Sequence, residues 1–202
     1  MTKTEIIVFD FDGTLSWPDS NIAFGKYCFR HSIRPWLFLP VIFVAFIAKL
    51  FNPNGIWWRQ KIRSFLTPQL IKKLKPGFIK LHKQNRFGWA RQQVANEKSV
   101  QRRKVILITA GMDYMVPELV DDMKFDAILT SKMNPERPWE FEFFCYGANK
   151  VLAMDEWAKK NKIIPQVIKS YSDHKSDMPL MELAKERIWI DAATGTRRQI
   201  SN

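Results

Sequence analysis

Apolar and polar positions fall into short blocks, and the blocks differ in kind between the ends of the chain and its middle. Ile6 to Phe9 is an unbroken apolar run, too short for a helix and closed by Asp10, which reads as a buried strand. Val105 to Ile108 repeats the pattern and ends in Thr109, Ala110 and Gly111. Phe125 to Leu129 and Val167 to Tyr171 are further strand candidates, and Ile188 to Ile190 reads as the last strand. Trp139 to Phe144 alternates as an edge strand or hairpin arm would. Helical spacing covers Asp113 to Met123 with Pro117 early, Asn149 to Lys160, and Met178 to Lys185. Strands separated by helices predict an α/β fold, with a mainly parallel sheet and helices on both faces.

The middle of the chain breaks this rhythm. Residues 15–103 carry 17 Lys and Arg against two acids, Asp19 and Glu97, while the remainder carries 15 basic and 18 acidic side chains. So sharp a change of charge predicts two parts: a core from residues 1–14 and 104–202, and a basic helical insertion at 15–103, placed after the first strand. The formal net charge of +12 points to anionic partners. Cys28 and Cys145 stand far apart, in no metal or disulfide pattern, which suits a reducing, cytoplasmic setting. The first strand begins almost at once, so no leader peptide is expected.

Candidate chemistry gathers at strand ends. Asp10 and Asp12 close the first strand, Thr109 the second, and Asp173 a later one. In a parallel sheet such ends share one edge, where ligands bind. Lys150, near a helix start, and Asp177, four residues after Asp173, complete a set of carboxylates, a hydroxyl and an ammonium. Such a set suits phosphoryl transfer with a divalent cation, because hard oxygens bind Mg²⁺ and an ammonium stabilises phosphoryl oxygens. Singly, each residue has a plainer reading. Thr109 could simply end a strand, Lys150 could be a solvated helix-start lysine, and Asp177 could cap the helix at Met178-Pro179. His174 reads as a surface or substrate-edge histidine, and His31 and His82 as solvated or structural.

Asp10-Phe-Asp-Gly-Thr-Leu15, the strand ending in Thr109, Lys150, and Tyr171-Ser-Asp-His-Lys-Ser-Asp177 together resemble the four ordered motifs of haloacid dehalogenase-like hydrolases, most of all the phosphoserine-phosphatase-like branch. The resemblance implies a Rossmann-like core with a helical cap between the first two motifs. It implies Asp10 as nucleophile, forming an aspartyl phosphate, and Asp12 as general acid and base, the residue that separates phosphatases from dehalogenases. It implies phosphoryl contacts from Thr109 and Lys150, with Phe11, Asp12 and Ala110 as further phosphate-binding positions. It implies Mg²⁺ held by Asp10, Asp173 and the carbonyl of Asp12, with Asp177 orienting a metal water or the lysine.

The inserted segment should choose the substrate. Pro35 to Ala48 runs fourteen residues without a charge. A spanning helix needs about 20 apolar residues, so this run suits a buried or an interfacial helix better than a transmembrane one. Lys26, Arg30 and Arg34 precede it, and Arg59, Lys61 and Arg63 follow. Trp36, Trp57 and Trp58 stand near its ends, as interfacial aromatics do. This reads as a cap lying on an anionic membrane surface, on the inner face of the cell membrane, although an ordinary cap core fits the same run. The layout is similar to that of bacterial phosphatidylglycerophosphatases C, which implies a lipid phosphate such as phosphatidylglycerophosphate. A phosphatase of a small soluble metabolite, a phospho-amino acid or sugar phosphate, is the alternative. A nucleic-acid binder is suggested by the sequence pI of about 9.8, but no nucleic-acid motif appears and no such partner is expected. A catalytically silent scaffold is disfavoured because no motif position is degraded.

Overall fold

The computed structural model describes residues 1–53 and 55–200. Its centre is a seven-stranded sheet. The strands are β1 (Thr2–Phe9), β2 (Arg103–Met112), β3 (Ala127–Met133), β4 (Phe141–Phe143), β5 (Ile163–Ser172), β6 (Glu186–Ile190) and β7 (Arg197–Ile200), in spatial order β4-β3-β2-β1-β5-β6-β7. β1 pairs in parallel with β2 on one side and β5 on the other. Only the edge pairs, β3 with β4 and β6 with β7, are antiparallel. This is the mainly parallel α/β sheet that the sequence pattern predicts.

β1 reads as a continuous apolar run because both of its faces are covered. Ile6 and Val8 join a buried cluster with Met154 and Leu180, whereas Ile7 and Phe9 join another with Val94, Val116 and Leu119. Successive side chains therefore enter opposite helical layers.

The helices are α1 (Ser20–His31), α2 (Arg34–Leu37), α3 (Leu39–Phe51), α4 (Ile56–Lys61), α5 (Pro68–His82), α6 (Ala90–Lys98), α7 (Val116–Leu119), α8 (Asn149–Lys160) and α9 (Met178–Met181). The first six lie between β1 and β2. Asp19 caps α1 by accepting from the amides of Asn21 and Ile22, and Thr67 caps α5, with Pro68 entering its first turn. Phe24 and Cys28 of α1 pack with Leu70, Leu74 and Phe78 of α5. α6 differs from its neighbours, because it packs on β2 and its buried Glu97 accepts hydrogen bonds from Arg103, Lys169 and Tyr171.

Four local expectations change. The helix expected over 113–123 shrinks to α7 plus one 3-10 turn, Asp121–Met123, and closes at Lys124 in the left-handed region at φ 54°. The helix expected to reach Lys185 stops at Met181, because the Lys185 amide already bonds the Val167 carbonyl and leads into β6. The strand expected at Phe125 begins at Ala127. Ile188 to Ile190 is not the last strand, since β7 follows; its polar Arg197-Arg198-Gln199 gives no apolar signal and survives only as an edge.

Candidate active site

β1, β2 and β5 deliver their carboxyl ends to one side of the sheet, and a cavity of about 530 Å³ opens there. Asp10, Asp12, Thr109, Ala110, Lys150, Asp173 and Asp177 all line it. Phe11 does not. Its ring is buried in the core near His82, and its carbonyl accepts the amides of Thr14, Leu15 and Ser16, so neither contributes to phosphate binding.

The turn after β1 is shaped for this site. Gly13 has φ +78°, and a side chain there would overlap the Asp173 carboxylate. Thr14 then donates to Oδ1 of Asp173 at 3.0 Å and lies 3.5 Å from Oδ2 of Asp10. One hydroxyl thus ties the ends of β1 and β5 together.

Lys150, 2 % exposed on the first turn of α8, reaches the same floor. Its ammonium donates to Oδ1 of Asp10 at 2.8 Å and to Oδ2 of Asp177 at 2.7 Å. Ser172 donates to the same Asp177 oxygen at 2.7 Å, which holds that carboxylate in place. Burial opposes the charged lysine, but Asp10 and Asp177 outweigh it and hold its pKa above the ordinary value. Burial dominates at Asp10, reinforced by Asp177 and Asp173 and opposed by Lys150, and pushes its carboxyl up to about 7.

Asp12 occupies a different niche. Its Oδ1 accepts from the Ser20 amide at 2.7 Å and its Oδ2 from the Ser20 hydroxyl at 3.0 Å. Burial first, and then the nearby Asp19 carboxylate, hold Asp12 well above the usual carboxylate range. Thr109 accepts the Gly111 amide at 3.1 Å through its hydroxyl oxygen, which leaves the hydroxyl proton available to an acceptor in the cavity. His174 is exposed at the rim, with Nδ1 2.7 Å from the Ser176 hydroxyl. His82 is buried, as its structural reading expects, whereas His31 is exposed and stacks on Tyr27.

The donor set suits a hard cation. Asp10 and Asp173 are both lifted by burial, so their negative charge is under-compensated, and both meet at Thr14. Among the described residues no three His, Cys, Asp or Glu side chains cluster as a metal cage.

Sequence reading missed several contributors. Ser20 carries no periodic or motif signal, and Ser172, though inside the Tyr171 to Asp177 motif, takes no role from it, yet each fixes a carboxylate of the site. In the sequence Arg59 and Arg63 read as basic residues flanking the apolar run, yet both line the cavity, as does Lys26. Among the described residues none of these three forms a salt bridge. Nε of Arg59 and both Nε and Nη2 of Arg63 are buried without a hydrogen-bond partner, and burial pulls Arg63 down to about 10. The Arg59 guanidinium lies 4.5 Å from the Trp58 ring centre and 5.2 Å from that of Tyr146, so aromatics of the cap and of the loop after β4 grip it.

Two carboxylates two residues apart, a free hydroxyl and a buried ammonium at the carboxyl edge of a parallel sheet define a phosphatase-type hydrolase. The chain matches the sequence profile of the haloacid dehalogenase-like hydrolases over residues 7–182 and belongs to that family. Solved structures share its fold. A Bordetella pertussis Tohama I protein of unknown function superposes with a TM-score of 0.76 at 14% identity, covering 94% of this chain and 91% of that one. A phosphoserine phosphatase, solved as a phospho-aspartyl intermediate analogue, gives a TM-score of 0.64 at 17% identity, covering 94% and 87%. A phosphoserine phosphohydrolase-like protein from Francisella tularensis SCHU S4 gives 0.60 at 18% identity, covering 94% and 87%. No curated protein matches the chain by sequence.

Proposed function

We propose that the chain is a Mg²⁺-dependent phosphomonoesterase whose substrate is a lipid phosphate with a second anionic group, as phosphatidylglycerophosphate has. The observation that carries the chemistry is the convergence of Asp10, Asp12, Thr109, Lys150 and Asp173 on one cavity.

The family resemblance suggests a role for each residue, and its place in the cavity supports it. Asp10, at the cavity floor beside Lys150, attacks phosphorus and becomes an aspartyl phosphate. Asp12, whose proton affinity burial and then Asp19 raise above that of an ordinary carboxylate, gives its proton to the departing alcohol. It then takes a proton from the water that hydrolyses the aspartyl phosphate, releasing inorganic phosphate and regenerating Asp10. Lys150, the Thr109 hydroxyl and the amides near Phe11, Asp12 and Ala110 hold the phosphoryl oxygens. Asp177 positions Lys150. Asp10, Asp173 and the Asp12 carbonyl would hold Mg²⁺, which when bound lowers the repulsion between the Asp10 carboxylate and the anionic phosphate.

Two observations support the lipid. Arg59 and Arg63 bring buried, unpartnered N–H groups to the cavity, and they suit a second phosphate on the same substrate. Among the described residues, 13 of the 21 exposed large apolar side chains fall between Ile33 and Trp57, so the long apolar run is not consumed in an ordinary cap core. Helices α1 to α5 act as the cap in this reading, and α3, at 13 residues, is about 20 Å long, short of the roughly 30 Å needed to span. Among the described residues no helix is long and apolar enough to cross a membrane.

The test is turnover of phosphatidylglycerophosphate in mixed vesicles against phosphoserine and sugar phosphates in solution. Preference for the vesicle substrate is expected, with loss of activity in EDTA and recovery with Mg²⁺. Asp10→Asn should abolish turnover of every ester while the protein stays folded. Arg63→Ala should raise KM for the diphosphorylated lipid and spare p-nitrophenyl phosphate. Faster turnover of a soluble phospho-amino acid would assign the metabolite phosphatase instead.

A further inference from the structure

The exposed apolar run is more than a charged surface that adsorbs to headgroups. Ile42 and Ala45 are the only buried side chains of α3, three residues apart on one narrow stripe. Phe43, Val44, Phe46, Ile47, Leu50 and Phe51 are all exposed, between 42% and 85%, and together they cover the rest of its circumference. An interfacial helix that floats at the headgroups keeps a polar face toward water. In α3 the cap itself occupies the place of that polar face, and the outward side carries no charge beyond Lys49.

Both ends of the helix are tied down. Arg34 donates through Nε to the Phe65 carbonyl at 2.7 Å, and Trp36 through Nε1 to the Phe29 carbonyl at 2.9 Å. At the other end Trp58 donates to the Asn52 carbonyl at 3.0 Å and packs under the Lys49 ammonium. The apolar ridge is thus a fixed part of the cap. Its continuation, α4, exposes Ile56 and Trp57 and turns Arg59 into the cavity. One six-residue helix therefore borders both the apolar ridge and the catalytic cavity.

We infer that α3, with the exposed ends of α2 and α4, is sunk into the hydrocarbon of a single bilayer leaflet, making the protein monotopic and placing the cavity mouth at the headgroup layer. The inference rests on the lipid-phosphate reading for the substrate, but concerns how the protein is held. The occupant of the ridge is lipid acyl chain, argued from its uncharged outward side and from the charge around it. Arg30, Arg34, Lys49 and Lys61 stand in sequence at its borders, where they suit anionic headgroups, and Trp36 and Trp57 stand half-exposed near its ends. A cavity of about 530 Å³ has room for a headgroup and none for two acyl chains, so the lipid tails stay in the leaflet during turnover.

Flotation with vesicles tests this. Wild-type protein is bound to phosphatidylcholine vesicles containing phosphatidylglycerol and washed in about 1 M NaCl, where the screening length falls to about 3 Å. Retention through the wash is expected. Phe43→Asp/Phe46→Asp and, separately, Val44→Asp/Ile47→Asp should bind at least roughly tenfold more weakly. Both should hydrolyse soluble p-nitrophenyl phosphate at the wild-type rate, which shows them folded, and should lose turnover of vesicle-borne lipid. Complete release of the wild type by salt would overturn the inference, leaving headgroup adsorption. So would unchanged retention of both variants. A salt-stable dimer in vesicle-free buffer that the variants dissociate, with no vesicle binding, would assign the ridge to a second copy of this chain. Salt-resistant binding combined with turnover of soluble esters alone would keep the attachment and reject the lipid substrate.

Discussion

The Lys150 ammonium lies 2.8 Å from Oδ1 of Asp10, joining residues 140 positions apart at the floor of the cavity. The contact sets the nucleophile's orientation and part of its charge, and it also binds α8 to the end of β1. Both partners are buried, so removing one leaves the other uncompensated. Lys150→Met should destabilise the fold by roughly 3–5 kcal/mol, because Asp10 and Asp177 then face each other without a cation. It should also lower kcat by about 10²–10³, the cost of losing one preorganised charge at the phosphoryl group. Thermal unfolding in Mg²⁺ alongside p-nitrophenyl phosphate turnover checks both. Wild-type stability in Lys150→Met would mean that Lys150 is not compensating these carboxylates.

Asp12 depends on Ser20 as Asp10 depends on Lys150. The Ser20 amide remains in Ser20→Ala, and only the 3.0 Å hydroxyl contact is lost. Asp12 should then orient less firmly and protonate the leaving group less well. The effect should scale with how much the leaving group needs a proton. An alkyl phosphate should lose about tenfold in kcat, and p-nitrophenyl phosphate should lose little, since its phenolate departs unaided. Equal losses on both esters would remove Ser20 from proton transfer and make its contact merely structural.

The catalytic floor was legible in the sequence because its residues end apolar strands. Asp10, Thr109 and Asp173 each follow a run buried on both faces, and parallel pairing brings those ends together. The supports were not legible. Ser20 opens α1 and Ser172 ends β5, positions where a small polar residue is ordinary, so their hydroxyl contacts leave no mark on the pattern. Arg59 and Arg63 sit in a basic segment where most cations are solvated, and nothing in their spacing distinguishes the two that turn inward. The short helices α7 and α9 were overread, because helical spacing in residues 113–123 and 178–185 survives one turn and is then overruled by backbone bonds leading into the next element. The apolar run at Pro35 to Ala48 was recognised, and its break falls beside Pro40, between α2 and α3. Its exposure could not be read from composition, since a buried cap helix and a bare one can be equally apolar.

Gly13 separates metal binding from folding. A Cβ there would meet the Asp173 carboxylate, and the φ of +78° is strained for any side chain. Gly13→Ala should push Asp173 away from Asp10 and Thr14. The expected result is a rise of at least about tenfold in the Mg²⁺ concentration for half-maximal activity, the size of effect that displacing a ligand's support gives. Activity should recover at saturating Mg²⁺ more than it does in Asp173→Ala. A Mg²⁺ requirement unchanged from wild type would remove Asp173 from the proposed metal site.

His82 predicts an acid-side weakness of the joint between cap and core. Its ring stacks on Phe78 with centres 5.0 Å apart, while Nε2 lies 3.4 Å from the Ser16 hydroxyl and Nδ1 3.5 Å from the Asn85 amide. Burial pulls its pKa down to about 4, with Asp19 opposing and Arg86 assisting. The unfolded chain takes up this proton near pH 6.5, whereas the folded chain resists it until about pH 4. The unfolded state therefore binds more protons throughout that window, and the contribution of His82 to stability is complete above pH 6.5 and lost as the pH falls toward 4. The loss should be about 2 kcal/mol, or about 4–8 °C in Tm for a chain of this size. His82→Gln keeps a polar side chain near Ser16 and cannot take up the proton. The difference in Tm between wild type and His82→Gln, measured from pH 7 to pH 4.5, should shift in the variant's favour as acid is added. A difference that stays constant across the range would show that His82 is already charged in the folded protein or titrates alike in both states.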